Sequence, residues 1–272
     1  MTNPGKKWRF LQRVEQFPGG WLFAFTIKLG WAAIFGGLML GAIIVTKYVE
    51  LPLLARYDWL FLYAVSIQLV LVATKLEKPH EVVTILIFHL VGLGMELFKT
   101  APGIGSWSYP EDAVFKLATV PLYSGFMYAA VGSFIARAWR VLALEFRPYP
   151  KRLYTILLAA AIYLNFFSHH YTYDIRWLLF GATLVLYGRT WTYYTVHTTE
   201  RRMPFLVTAL LSAFFVWLAE NIGTFTKSWL YPNQATEWHL VSIHKLGAWL
   251  LLMLISFIMI DLLHALRTRR KT

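Results

Sequence analysis

The sequence predicts an all-α polytopic membrane bundle of about eight transmembrane helices, arranged as two parallel four-helix repeats. Three observations predict it. Apolar stretches long enough to cross a bilayer recur along the chain, Lys and Arg alternate between the segments that join them, and one motif occurs twice at matching places. Composition agrees, with 58% hydrophobic and 15% charged residues, where a soluble chain carries about 25% charged. Mean hydropathy is +0.51. The 12 Trp and 15 Tyr suit anchoring at the lipid headgroup level.

The chain opens on a basic, polar tail, residues 1–20, with no small-residue cleavage site behind an apolar core. It reads as a cytoplasmic tail and not a removable signal. The apolar stretches then fall at 23–46, 57–74, 82–99 and 114–136, and at 152–168, 174–194, 203–222 and 238–266. A span needs roughly 20 residues, with about 17 as the lower limit. The second, third and fifth are short by that measure, and Gly188 and Arg189 interrupt the sixth. These stretches divide the chain into a first repeat, 21–136, a basic cytoplasmic linker, 137–151, a second repeat, 152–266, and a basic tail, 267–272.

Orientation follows from the basic residues. With the N-terminus inside, eighteen Lys and Arg fall in cytoplasmic segments and six on the other side, while Lys28 and Lys245 lie within spans. An odd number of spans would break this alternation, so both termini are expected in the cytoplasm. The net charge of +12 is accounted for by these loops, which leaves no basic domain for nucleic acid. The expected partner is membrane lipid. The absence of cysteine excludes disulfides, thiolate metal sites and cysteine nucleophiles.

The repeat lies in the segments that leave the third and seventh stretches. Glu96-Leu97-Phe98-Lys99-Thr100 leads to Ser106-Trp107-Ser108-Tyr109-Pro110, and Glu220-Asn221-Ile222-Gly223-Thr224 leads to Ser228-Trp229-Leu230-Tyr231-Pro232. The pattern is Glu-x-x-x-Thr followed by Ser-Trp-x-Tyr-Pro. With an even number of spans in each half, the halves run parallel, related by an axis along the membrane normal.

Candidate chemistry gathers on the non-cytoplasmic side. Glu96 and Glu220 sit at the ends of spans, where a carboxylate must be paired, protonated or hydrogen-bonded. They would serve as an acid–base pair, a cation site or a proton relay, or would cap the following loops through backbone N–H groups or Lys99 and Lys227. His89, Gly92 and Glu96 share one helix face. His169, His170 and Asp174 form a metal or proton-transfer cluster in one reading, with His169 and His170 as ligands of a divalent metal. In the other, Asp174 caps the sixth span and pairs with Arg176. Lys245, about seven residues into the last span, is roughly 10 Å deep. It would be an electrostatic group, an ion-pair partner of Glu220 or Glu96, or the anchor of an aldehyde chromophore. Matching the repeats through Tyr-Pro sets Lys245 against Tyr123 and Gly247 against Gly125. Trp107, Tyr109, Tyr123, Asn221, Trp229, Tyr231 and His244 are the expected substrate-binding residues, and Trp and Tyr anchors with loop-fixing prolines are the plainer account of several of them.

The same residues carry a family resemblance. Gly94-Met95-Glu96-Leu97-Phe98-Lys99-Thr100, Gly105-Ser106-Trp107-Ser108-Tyr109-Pro110, Val120–Tyr128, Tyr163–His170 with Asp174–Trp177, Ala219–Phe225 and Tyr231–Gln234 are similar to the bacterial integral-membrane family catalogued as domain of unknown function 817. The resemblance runs from about residue 20 to residue 265. It implies the fold and a bacterial inner membrane, and it implies no reaction. From the residues, the leading expectation is a membrane-embedded enzyme acting on a lipid or isoprenoid-like substrate at the extracytoplasmic leaflet, with metal assistance in one form. The alternatives are a proton- or ion-coupled transporter of a small solute, a chromophore-binding sensor using Lys245, and a purely structural membrane protein.

Overall fold

A computed structural model describes residues 17–196 and 199–269. The described chain is mostly helical. The helices are α1 (Gly20–Ala32), α2 (Ile34–Tyr48), α3 (Arg56–Ala73), α4 (Pro79–Lys99), α5 (Tyr123–Val141), α6 (Arg152–Ser168), α7 (Arg176–Tyr187), α8 (Phe205–Phe225) and α9 (His244–Arg269). Four of them, α3, α4, α8 and α9, are long and apolar enough to cross a membrane. The count is five if α1 and α2, which meet at a 70° bend, form one span. Helices α6 and α7 are apolar but shorter. Leu69, Leu90, Leu164, Leu184, Val185 and Phe215 lie exposed on these helices, an apolar surface of the kind that faces lipid.

Two cores organise the bundle. Phe35, Met39, Leu60, Ala64 and Ala129 join α2, α3 and α5. Leu158, Ile162, Leu179, Leu254 and Ile258 join α6, α7 and α9. Phe88, Ile135, Ala213 and Met253 form a third cluster, in which α4 and α5 meet α8 and α9. The closest pairing is α4 with α5, and glycine makes it possible. A Cβ on Gly92 would come within 2.4 Å of the Tyr128 ring, so only hydrogen fits there.

Several boundaries differ from expectation. The fourth apolar stretch does not begin as helix at 114. Lys116–Leu117 (β1) and Val120–Pro121 (β2) form a small antiparallel hairpin first, with Leu117 opposite Val120. Asp58 holds this turn by accepting from the Val114 and Phe115 N–H groups. The sixth stretch ends as helix at Tyr187. Beyond Gly188, the aromatic and β-branched run Trp191–Thr195 forms a strand, β4, as such residues favour. It pairs with Glu145–Arg147 (β3) and Glu200–Pro204 (β5) in an antiparallel sheet of order β3-β4-β5. Arg147 stacks on the Tyr193 ring and Arg202 on the Trp191 ring. The expected linker 137–151 is therefore ordered, as the end of α5 and as β3. The last stretch becomes helix at His244 and not at 238. Residues 1–16 of the expected N-terminal tail and 270–272 of the C-terminal one lie outside the described residues.

At one end of α4 and α5, Glu77 and Arg137 form a fully buried ion pair at 2.9 Å. Ser133 donates to the same carboxylate at 2.6 Å, and Gln68 donates to its other oxygen. Glu96 lies at the opposite end of α4. That end holds the candidate site.

Candidate functional site

Glu96 sits on the last turn of α4, buried. Its carboxylate accepts the Trp107 indole N–H at 2.7 Å, the Tyr109 phenol at 2.8 Å and the Tyr128 phenol at 2.8 Å. Glu220, buried on α8, accepts the Tyr231 phenol and the Trp249 indole. The tyrosine of each Ser-Trp-x-Tyr-Pro segment therefore donates to the glutamate that precedes it. Burial, then the Glu96 charge, push the Tyr109 phenol well above its ordinary pKa. Burial and Glu220 do the same at Tyr231. Both phenols stay protonated donors. Neither Lys99 nor Lys227 caps the glutamates; neutral indoles and phenols hold them.

The two segments also bind each other. Ser108 and Leu230, the variable residues of the two motifs, exchange N–H···O bonds of 2.9 Å each way as an antiparallel bridge. Trp107 packs edge-on to Tyr231, with ring centres 6.3 Å apart. That ring contact joins a donor of Glu96 to a donor of Glu220 and so links the two carboxylates. Over the bridge lies an open cleft of about 440 Å³, lined among others by Thr100, Pro102, Trp107, Leu230, Tyr231 and Pro232.

Three comparisons bear on this arrangement. Residues 21–257 match the profile of the family described as "Protein of unknown function (DUF817)". That span takes in both glutamates and both motifs. The chain belongs to this family. Across 250 residues it is 43% identical to "Uncharacterized protein YoaT" of Bacillus subtilis (strain 168), covering 90% of this chain and 94% of that protein. No solved structure matches.

In this DUF817 chain the other expected site residues fall into three groups. Lys245 joins the glutamates: its Nζ stands 4.1 Å from the centre of the Tyr231 ring and 6.0 Å from that of Trp107. It lies in the first turn of α9, not deep in a span, because the chain before His244 is loop. Among the described residues it makes no direct ion pair; the expected bond to Glu220 or Glu96 is replaced by a ring contact.

A second group surrounds Lys99, three residues after Glu96 on α4. The Lys99 Nζ is 2.7 Å from His170 Nε2 and 4.1 Å from the centre of the Phe166 ring. His169 turns its Nδ1 to the Asn165 carbonyl at 2.8 Å and faces His170 at 4.2 Å. Burial, then the Lys99 charge and His169, hold His170 below the ordinary imidazole pKa. Asp174 accepts the Arg176 backbone N–H at 2.9 Å and pairs with its guanidinium at 3.0 Å. Burial opposes ionisation there, but Asn165, the Arg176 N–H and the Arg176 charge outweigh it and lower the carboxyl pKa. Asp174 thus binds the first residue of α7 from just outside the helix, whose N-cap is Ile175, and its expected pairing with Arg176 is present. No three or more His, Cys, Asp or Glu among the described residues are placed to hold a metal. An ion on His169 and His170 would have to displace Lys99.

The third group is structural. The Tyr123 phenol donates to the Ser228 carbonyl at 2.9 Å. Asn221 donates to the Trp217 carbonyl and accepts the Val241 N–H, which pins the loop before α9. Trp229 fills the space over Gly223, where a Cβ would stand 2.0 Å from its ring. His244 is exposed at the start of α9. Sequence reasoning missed Tyr128 and Trp249 as donors. Gly92, one turn before Glu96, was the available signal for Tyr128, since a glycine there marks where a bulky neighbour closes in.

Proposed function

We propose that the protein is a multi-pass enzyme of the bacterial inner membrane that performs acid–base chemistry on a lipid or isoprenoid-like substrate at the extracytoplasmic leaflet. In this reading the chain has eight spans in two parallel repeats, with both termini in the cytoplasm. The carboxyl pair carries the reading. Glu96 and Glu220 come from different helices, meet around Trp107 and Tyr231, and take only neutral donors. Ionisable groups in membrane helices are costly and are functional candidates by default. Hydrogen bonds from neutral groups favour the charged carboxylate less strongly than an ion pair does, while burial favours the neutral acid, so the two protonation states lie closer together than in a salt bridge.

Three features support the repeat: the matching tyrosine-to-glutamate bonds, the Ser108–Leu230 bridge between equivalent positions, and a separate core for each helix group. Every one of the eight apolar stretches contains helix, which supports the span count. The chain has no cysteine, so single introduced cysteines report topology cleanly. Tyr173→Cys should label from outside with an impermeant maleimide, and Lys151→Cys only after permeabilisation. The reverse pattern would overturn the orientation.

The enzyme is tested by mass spectrometry of lipid extracts. Cells expressing the wild type are compared with cells expressing folded Glu96→Gln plus Glu220→Gln at equal amounts. A product ion confined to the wild type supports the proposal; identical extracts reject it. One observation favours a proton-coupled transporter instead. His89 lies along α4 between the Glu77–Arg137 pair and Glu96, against Gly125, with its Nδ1 outside good hydrogen-bond geometry. Proton flux in proteoliposomes that disappears in His89→Leu would favour that reading.

A further inference from the structure

Two lysines at the Glu96 end stand where the matching positions are neutral. Counted from the glutamates, Lys99 corresponds to Gly223; counted from the Tyr-Pro pairs, Lys245 corresponds to Tyr123. Helices α3 and α7 both open with an arginine, Arg56 and Arg176.

In the first helix group these positions close on the loop of the second. Arg56 donates to the Ser228 Oγ at 2.9 Å, and Tyr57 and Tyr123 donate to its carbonyl at 3.0 and 2.9 Å. Trp229 covers Gly223. That quadrant is filled.

The second group makes a different arrangement around Lys99, Arg176 and Lys245. Arg176 turns to Asp174. The two ammonium groups rest on His170 and on the rings of Phe166 and Tyr231. Among the described residues, no carboxylate bonds either lysine. The Lys245 and Arg176 charges both act on Lys99, and Arg176 acts on Lys245. Asp174, spent on Arg176, and Glu220, which acts on Lys245 from within its own shell, are the opposing charges.

A buried ammonium such as Lys99, with other cations acting on it, is costly unless an anion joins it. Lys245 adds to this by its place in the first turn of α9, where the helix dipole disfavours a cation and favours an anion. Lys99 is buried, while Arg176 and Lys245 are partly exposed. Solvent therefore reaches the cluster at Arg176 and Lys245.

We propose that Lys99, Arg176 and Lys245 form a binding site for a phosphate-type anion. The proposal rests on the enzyme reading and gives it a substrate class: the phosphate end of a lipid or isoprenoid would lie beside the Glu96–Glu220 pair. A free phosphate would satisfy the same groups.

The test uses the full chain in phosphatidylcholine nanodiscs, with intrinsic tryptophan fluorescence as readout because Trp107 borders Lys245. Inorganic pyrophosphate and short-chain phosphatidic acid are titrated separately. At least one should give a saturable change. Loss of one charge-assisted hydrogen bond should weaken it about tenfold in Lys245→Gln and in Lys99→Gln, while Lys47→Gln leaves it unchanged. Lys245→Tyr places the residue of the matching position there, so it should keep the melting temperature and lose the response. A response to the lipid alone assigns the headgroup; a response to pyrophosphate alone assigns a soluble anion. No saturable change with either, or unchanged affinity in Lys245→Tyr, overturns the proposal. Binding is read without turnover, so it can fail while the lipid-extract experiment succeeds, and the reverse.

Discussion

Arg56 opens α3 and Arg176 opens α7, yet their surroundings differ. Arg56 donates to Glu111, to the Thr226 and Ile43 carbonyls, and to the hydroxyls of Thr46 and Ser228. It joins α2, the loop before α5 and the loop after α8 in one knot. Among the described residues the Arg176 side chain pairs only with Asp174, two residues away, and it is 32% exposed against 12% for Arg56. The contrast teaches that two arginines at helix starts can do different work, one locking loops together and one staying open to solvent. One quadrant uses its arginine, tyrosines and a glycine to lock the loops. Around Arg176, by contrast, the Lys99 and Lys245 ammonium groups rest on His170 and on the Phe166 and Tyr231 rings.

The largest expected effect tests that division directly. Arg56→Met should cost about 3 kcal/mol, because it strips several charge-assisted bonds and leaves buried acceptors unpaired. Arg176→Met should stay within about 0.5 kcal/mol, as partly exposed pairs do. Thermal unfolding of both variants in the same detergent measures the difference. Equal losses would break the comparison.

Much of this scaffold was legible in the sequence, and the reasons differ by element. Apolar stretches report helices because the bilayer demands both length and continuous apolarity. The repeated motif pointed to Glu96 and Glu220, and each does meet the tyrosine of its own motif. The β3-β4-β5 sheet was hidden because Trp191–Thr195 is apolar enough to pass as the end of a span, although its β-branched and aromatic alternation also suits a strand. The true position of Lys245 was hidden for a related reason. Residues 238–243 read as span by composition, but the Asn221 and Trp217 side chains bind Val241 and hold that segment as loop. Partners far apart in sequence, such as Tyr128 for Glu96 and His170 for Lys99, carry no local signal at all.

A middle-sized effect compares the two glutamate shells. Tyr109→Phe and Tyr231→Phe each remove one phenol donor from a buried carboxylate, at a cost of about 1–2 kcal/mol. Glu96 keeps two donors after the first change, whereas Glu220 keeps only Trp249 after the second. Tyr231→Phe should therefore lower the melting temperature more. The opposite order would mean that Glu220 is held chiefly by something other than these donors.

The smallest effect concerns pH and the open quadrant alone. Neutral His170 accepts from Lys99, and burial, the Lys99 charge and His169 all hold its pKa below the ordinary value. A folded-state pKa below the unfolded one contributes stability that is complete above the unfolded value, about 6.5. That contribution is lost as pH falls toward the lower folded value. Protonation also turns the imidazole from acceptor to donor, so it must release Lys99. The difference in stability between wild type and His170→Asn should be largest near pH 7 and shrink below about pH 6. Solvent at this partly exposed ring keeps the change under about 0.5 kcal/mol. Other titrating groups, His169 and Asp174 among them, are present in both proteins and largely cancel in the difference. A difference that grows as pH falls would mean that charged His170 is favoured in the fold. An anion already lying against Lys99 would produce that sign, so repeating the titration with pyrophosphate present separates the ligand from the bare cluster.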